Sequence, residues 1–257
     1  MKRLATALVL IPLFVYLVLW APQPIFLAAV CAVAILCFHE YSGLVALPTT
    51  PPPGLFGYAA GLLMLLLPTN SVAFVILIAL LALALGLRAR DLSETLPFAA
   101  SLIFGVLYVF GALRTGVELR DRSVYWLMFA LSLNWVGDIA ALYVGKAIGR
   151  HKLSVRISPG KTWEGAAGSI LAAILYGAVY FPKLLPAVPL AQGLAIAAIG
   201  NVAGQIGDLA ESAMKRGAGV KDSGTLLPGH GGWLDRLDSS LFALPVVYFL
   251  LISFGIQ

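Results

Sequence analysis

At 257 residues the chain could form one large domain or two small ones, so composition decides its class. Hydrophobic residues make up 60% and charged residues 11%, against roughly 45–50% and about 25% in soluble globular proteins. This excludes a soluble fold, a disordered chain, a coiled coil and a disulfide scaffold. It leaves an integral membrane protein, whose net charge of +5 fits basic cytoplasmic loops and calls for no nucleic-acid partner.

Met1-Lys2-Arg3 and the apolar run behind it look like the start of a signal peptide, but Trp20-Ala21-Pro22 is a poor cleavage site. An uncleaved first span is therefore expected. Leu4 to Phe38 carries no ionisable residue and is broken at Pro22-Gln23-Pro24, which makes two spans. Cys31 and Cys37 sit in the second, facing different sides of a helix, and are expected to be small hydrophobes rather than a disulfide or metal pair. Tyr41 to Leu87 is also uncharged, and its Pro51-Pro52-Pro53-Gly54 and Pro68-Thr69-Asn70-Ser71 turns leave two more spans. Further spans are expected at about 95–113, 123–143, 159–181, 190–208 and from 235 to the C-terminus, each near the ~20 residues that cross a bilayer. None shows the period-2 alternation of a membrane barrel. The expectation is an all-α polytopic membrane protein of about nine helices.

Lys and Arg set the orientation. With the N-terminus inside, most of the 17 basic residues fall in cytoplasmic segments, and Arg114, Arg120, Arg122 and Lys183 fall outside. The loops 144–161 and 209–236 then share the cytoplasmic face. Arg88, Arg90 and the Arg114–Arg122 group are read as orientation charges, and His39 and His151 as interfacial. Most acidic residues of the second half lie in or beside the two loops. Residues 1–122 accordingly read as a scaffold and 123–257 as the catalytic part of one membrane domain.

Asn201, Gln205, Asp208, Ser212 and Lys215 follow helical spacing and line one face. Such a stripe at the end of a span is costly unless it lines a wet cavity, a partner helix or the interface. Asp235, Asp238 and Ser239 share the first turn of the last helix, where acidic residues also suit the helix dipole, and they follow Gly229-His230-Gly231-Gly232. His230 between glycines could serve as a base, a ligand or a phosphate donor. Lys215, Arg216, Lys221, Asp222 and Ser223 sit among glycines in the intervening loop, a mixture suited to phosphate oxygens. Carboxylates converging from Asp208, Asp235 and Asp238 suit Mg²⁺ shared with phosphates, with a second cation left open. Ser158-Pro159-Gly160-Lys161-Thr162 reads as a Ser N-cap with Pro at N1, opening an anion-binding helix start. Asn134 and Asp138 lie one turn apart within a span, where Asp138 is expected to pair with Lys146, Lys152 or Lys161.

The run from Ser212 to Arg216, then Lys221 to Gly224, then Leu227 to Asp238 resembles the signature of the phosphatidate cytidylyltransferases (CDP-diacylglycerol synthases), as do Asp138–Gly149 and Ser158–Gly165. The resemblance covers about 100 residues of the second half. It implies transfer of a cytidylyl group from CTP to phosphatidate, a helical membrane fold in a bacterial inner membrane, a homodimer, and a metal site at Asp208 and Asp235 with Asp238 third or behind them. On these positions Lys215, Arg216 and Lys221 would grip phosphates and Ser158, Lys161 and Thr162 would close from the other loop. Asp222 would read the nucleotide or orient Lys221, and Ser212, His230, Arg236 and Asp138 would complete the substrate site. A transporter would instead spread polar residues near the midplane of two related halves. A CDP-alcohol phosphotransferase would carry a multi-aspartate stretch on one helix, which is absent.

Overall fold

The computed structural model describes residues 12–47, 54–67, 72–226 and 231–256. Helical residues 12–19 (α1) lead into α2 (Gln23–Leu44), α3 (Gly54–Leu66) and α4 (Val72–Gly86). The next rod is composite. A 3₁₀ turn (Leu92–Glu94) opens α5 (Thr95–Gly105), a π-helical segment (Val106–Gly111) follows, and α6 (Ala112–Arg122) completes it. Then come α7 (Val124–Ile148), an antiparallel hairpin of β1 (Lys152–Ser154) and β2 (Ser158–Thr162), α8 (Trp163–Leu184), α9 (Leu190–Gly217) and α10 (Leu234–Ser253).

Among the described residues, six helices are long and apolar enough to cross a membrane: α2, the 31-residue rod Leu92–Arg122, and α7 to α10. Together with the exposed belt of Leu55, Leu77, Leu96 and Leu171, they make the chain an integral membrane protein, since solvent-facing Leu in this density would be unsupported in water. Helices α3 and α4 have 13 and 15 residues, only about 20–22 Å of rise, short of the ~30 Å hydrocarbon layer.

The core is aromatic. Phe38, Tyr41, Phe110, Phe129 and Phe181 are fully buried, and Phe129 and Phe181 meet with ring centroids 4.6 Å apart. Cys37 is buried and Cys31 half-buried, both as free thiols. Helices α7, α8, α9 and α10 pack in sequence, and α2 and α6 close on α10. This gathers the ends of α7, α9 and α10 with the hairpin, so the loops 144–161 and 209–236 meet at one end of the molecule.

Two expectations are corrected. The segment from Ser158 is not a helix start. Ser158–Thr162 is strand β2, and Thr162 caps α8 by accepting from Gly165 N at 3.1 Å. Periodicity cannot reveal a five-residue strand that pairs locally across a tight turn. The Arg114–Arg122 group, expected to carry orientation charges alone, also makes contacts within the fold. Arg120 donates to Val18 O, Gln23 Oε1 and Ala21 O and lies 4.3 Å from the Phe26 ring centre, closing the α1–α2 corner.

Candidate active site

The polar stripe on α9 divides in two. Its upper part is structural: Asn201 is buried and accepts from Ser169 Oγ at 3.1 Å and Gln205 Nε2 at 2.8 Å, tying α8 to α9. Asn134, also buried, packs so closely on Gly204 that a Cβ there would overlap its amide. Satisfied amides of this kind are what membrane helices use in place of a hydrophobic drive.

The lower part, Asp208, Ser212 and Lys215, opens into a pocket of about 360 Å³. Arg216, Lys221 and Asp222 line it from the following loop, Asp235, Arg236, Asp238 and Ser239 from α10, and Asp138 from α7. Residues separated by a hundred positions thus share one cavity of the size that holds small-molecule ligands. Of the hairpin residues expected there, Lys161 does not line the pocket but reaches one residue that does, its Nζ 2.5 Å from Asp208 Oδ2. Ser158 stays in β2 opposite Ser154, and Thr162 is spent on the α8 cap. Asp138 is not paired with Lys146, Lys152 or Lys161 among the described residues, because Lys161 reaches α9 instead. His230 lies outside the described residues.

Lys215 is nearly buried between two carboxylates, 2.8 Å from Glu211 Oε2 and 2.5 Å from Asp235 Oδ1. Glu211 is wholly buried. A buried ammonium is tolerated only when paired, and two of its three donors are used here. The other oxygen of Asp235 accepts from Ser223 N, Ser223 Oγ and Gly232 N at 2.8–3.0 Å. Asp235 therefore ties the loop to the first turn of α10. Gly231 holds φ at +80°, a conformation that suits glycine, where the chain turns into that helix.

One residue of the site was not anticipated. Glu40 of α2, in the part read as scaffold, is buried and accepts from Trp233 N, Leu234 N and Ser223 Oγ. The available signal was a carboxylate next to Phe38-His39, at the end of a long uncharged run, where a carboxylate demands a partner. His39 of α2 meets the Tyr58 hydroxyl of α3 at 3.4 Å, and His151 bonds to Glu164 at 2.6 Å.

Five aspartates and four basic side chains line the pocket. That lining is close to neutral and would not by itself attract two polyanions, so it suits ligands that bring a divalent cation. Among the described residues no three His, Cys, Asp or Glu side chains are arranged to hold a metal ion unaided. Mg²⁺, however, commonly uses one or two carboxylates and completes its octahedron with substrate phosphates and water. The donor set fits that mode.

A helical membrane protein with an acidic and basic pocket at one end of its bundle belongs to the class that handles phosphorylated substrates at a bilayer surface. The chain matches the model of the Cytidylyltransferase family over residues 1–254 and belongs to that family. It is 34% identical to the phosphatidate cytidylyltransferase of Bacillus subtilis (strain 168) over 99% of this chain and 98% of that protein. It is also 34% identical to the phosphatidate cytidylyltransferase of Staphylococcus aureus (strain COL), over 86% and 87%. To that of Staphylococcus haemolyticus (strain JCSC1435) it is 31% identical, over 98% of each.

Proposed function

We propose that the protein transfers a cytidylyl group from CTP to phosphatidate, giving CDP-diacylglycerol and pyrophosphate for phospholipid synthesis. The observation that carries this reading is the pocket itself, in which Asp208, Asp235 and Asp238 meet Lys215, Arg216, Lys221 and Arg236, in a chain whose family and relatives carry that name. A phosphatidate oxygen attacks the α-phosphorus of CTP, a new P–O bond forms, and the bond to the bridging oxygen breaks as pyrophosphate leaves. The attacking phosphate is already ionised, so no strong base is needed. What the residues must do is hold two polyanions together.

Lys221, Arg216 and Arg236 bind the phosphates, and Lys215 offers its remaining donor from its clamp between Glu211 and Asp235. Lys161 reaches the phosphates by exchanging its partner Asp208. Asp208 and Asp238 are the carboxylates best placed for Mg²⁺, which would supply charge neutralisation of the triphosphate and leaving group. Asp235 joins them where it gives up Lys215 or Ser223. Asp138, Asp222 and Ser212 line the rest of the pocket, and His230 adjoins it in sequence.

The basic loops that frame the pocket support an N-in, C-out orientation with the site on the cytoplasmic side of a bacterial inner membrane. In the nine-span arrangement α3 and α4 cross as a pair. Were this short pair to enter and return instead, every later helix would keep its sense. The resemblance further supports a homodimer.

The test is transfer of label from α-labelled CTP into a chloroform-soluble product by purified protein with phosphatidate and Mg²⁺. Lipid-linked label that EDTA abolishes supports the reading. Its absence under conditions where a relative is active refutes it.

A further inference from the structure

Helix α2 contributes nothing to the pocket lining, yet it delivers a buried carboxylate directly behind it. Glu40 is 5% exposed. Its Oε1 accepts from Trp233 N at 3.0 Å, and its Oε2 accepts from Leu234 N at 2.9 Å and Ser223 Oγ at 2.8 Å. Trp233 and Leu234 begin α10 and no side chain of that helix caps them, so Glu40 caps α10 from another helix, with its charge at the positive end of the dipole. Glycines flank it closely: a Cβ on Gly224 or Gly232 would overlap the Glu40 carboxylate.

The decisive contact is Ser223. Its hydroxyl lies 2.8 Å from Glu40 Oε2 and 3.0 Å from Asp235 Oδ2. A hydroxyl has one proton, so the two carboxylates share it, and Asp235 in turn holds Lys215 at 2.5 Å. An apolar residue at this depth would cost far less than a carboxylate. The carboxylate is spent on the turn that presents Asp235, Arg236, Asp238 and Ser239 to the pocket.

We propose that Glu40 is a positioning residue for the cytidylyl transfer. By clamping the first turn of α10 and the Ser223 loop, it sets where Asp235 holds Lys215 against the substrate phosphates. This rests on the function proposed above. The geometry predicts an effect on the chemical step more than on substrate capture, because displacing a reacting assembly by a fraction of an ångström penalises the transition state most.

The experiment compares wild type with Glu40→Gln, Ser223→Ala and the double variant. Initial rates are measured against CTP and phosphatidate, and thermal unfolding is followed in detergent. In Glu40→Gln, kcat should fall by about tenfold or more while KM for CTP moves less than about threefold. The double variant should lose less than the product of the single losses, because both substitutions break one chain of contacts. A Glu40→Gln kcat within twofold of wild type overturns the proposal. So does a loss that disappears when the rate is expressed per folded molecule. Hydrogen exchange of the amides of residues 231–236 separates this from failure of the reaction itself. If wild type makes no lipid-linked nucleotide, the functional reading has failed, yet the Glu40 clamp still predicts about tenfold faster exchange in Glu40→Gln. Unchanged exchange removes the clamp whatever the reaction.

Discussion

The ammonium of Lys161, on the hairpin, sits 2.5 Å from the carboxylate of Asp208, on α9. Each side chain is a little over a quarter exposed, so the pair is partly hydrated and contributes modestly to stability. Its consequence is geometric. It is an ion pair that joins the loop 144–161 to α9 just ahead of the loop 209–236, and it sets a cation directly against a candidate metal ligand.

Exchange of partners predicts that Lys161→Ala and Asp208→Asn both lose activity without loss of fold. Asp208→Asn should cost about a hundredfold or more in kcat/KM and Lys161→Ala about tenfold, a magnitude usual for a group that stabilises transition-state charge. Combined, they should be non-additive. Rates within twofold of wild type for both variants would place the pair outside the reaction.

Asp235→Asn keeps an oxygen for Ser223 N and Gly232 N but removes the charge that faces Lys215. The variant should elute from size exclusion as wild type does and show a loss of turnover of about a hundredfold or more. Retained turnover would take Asp235 out of the chemistry.

Charge-free runs made the six long apolar helices legible among the described residues, and α7 begins directly after Ser123, where a span was expected to start. The second half of the site was also legible. Helical spacing grouped Asp208, Ser212 and Lys215 on one helix face and Asp235 and Asp238 on another, the resemblance set the two groups side by side, and the pocket contains all five. Contacts that cross the fold were not. Glu40 bonds to Leu234 over 194 positions, and no local pattern encodes such a distance. The β1–β2 hairpin escaped for the opposite reason: its strands are too short for periodicity to register.

Removing Lys215 should unfold what it holds. Glu211 is fully buried, and the Asp235 side chain is 6% exposed. Lys215→Met therefore strands two carboxylates, a loss of roughly 3–5 kcal/mol for a broken buried pair. The melting temperature in detergent should drop sharply. Glu211→Leu added to Lys215→Met should recover part of the stability, since one stranded charge is gone, and should recover no turnover. A Lys215→Met variant as stable as wild type would mean that the clamp is not formed.

Metal dependence offers the closest test of the carboxylates. A cation shared between protein and triphosphate is held by few protein ligands, so each one missing weakens the site without emptying it. EDTA should abolish transfer and excess Mg²⁺ should restore it. Asp238→Asn should keep measurable activity but raise the Mg²⁺ concentration at half-maximal rate by about tenfold, because Asp238 lines the pocket with Asp208 and accepts from the Ser239 amide, with no basic side chain paired to it among the described residues. Asp222→Asn, on the loop side of the same pocket, should leave the Mg²⁺ midpoint in place and instead raise KM for CTP. A midpoint unmoved in Asp238→Asn would take that residue off the metal. A midpoint shifted equally in both variants would show a general electrostatic effect of pocket charge in place of coordination.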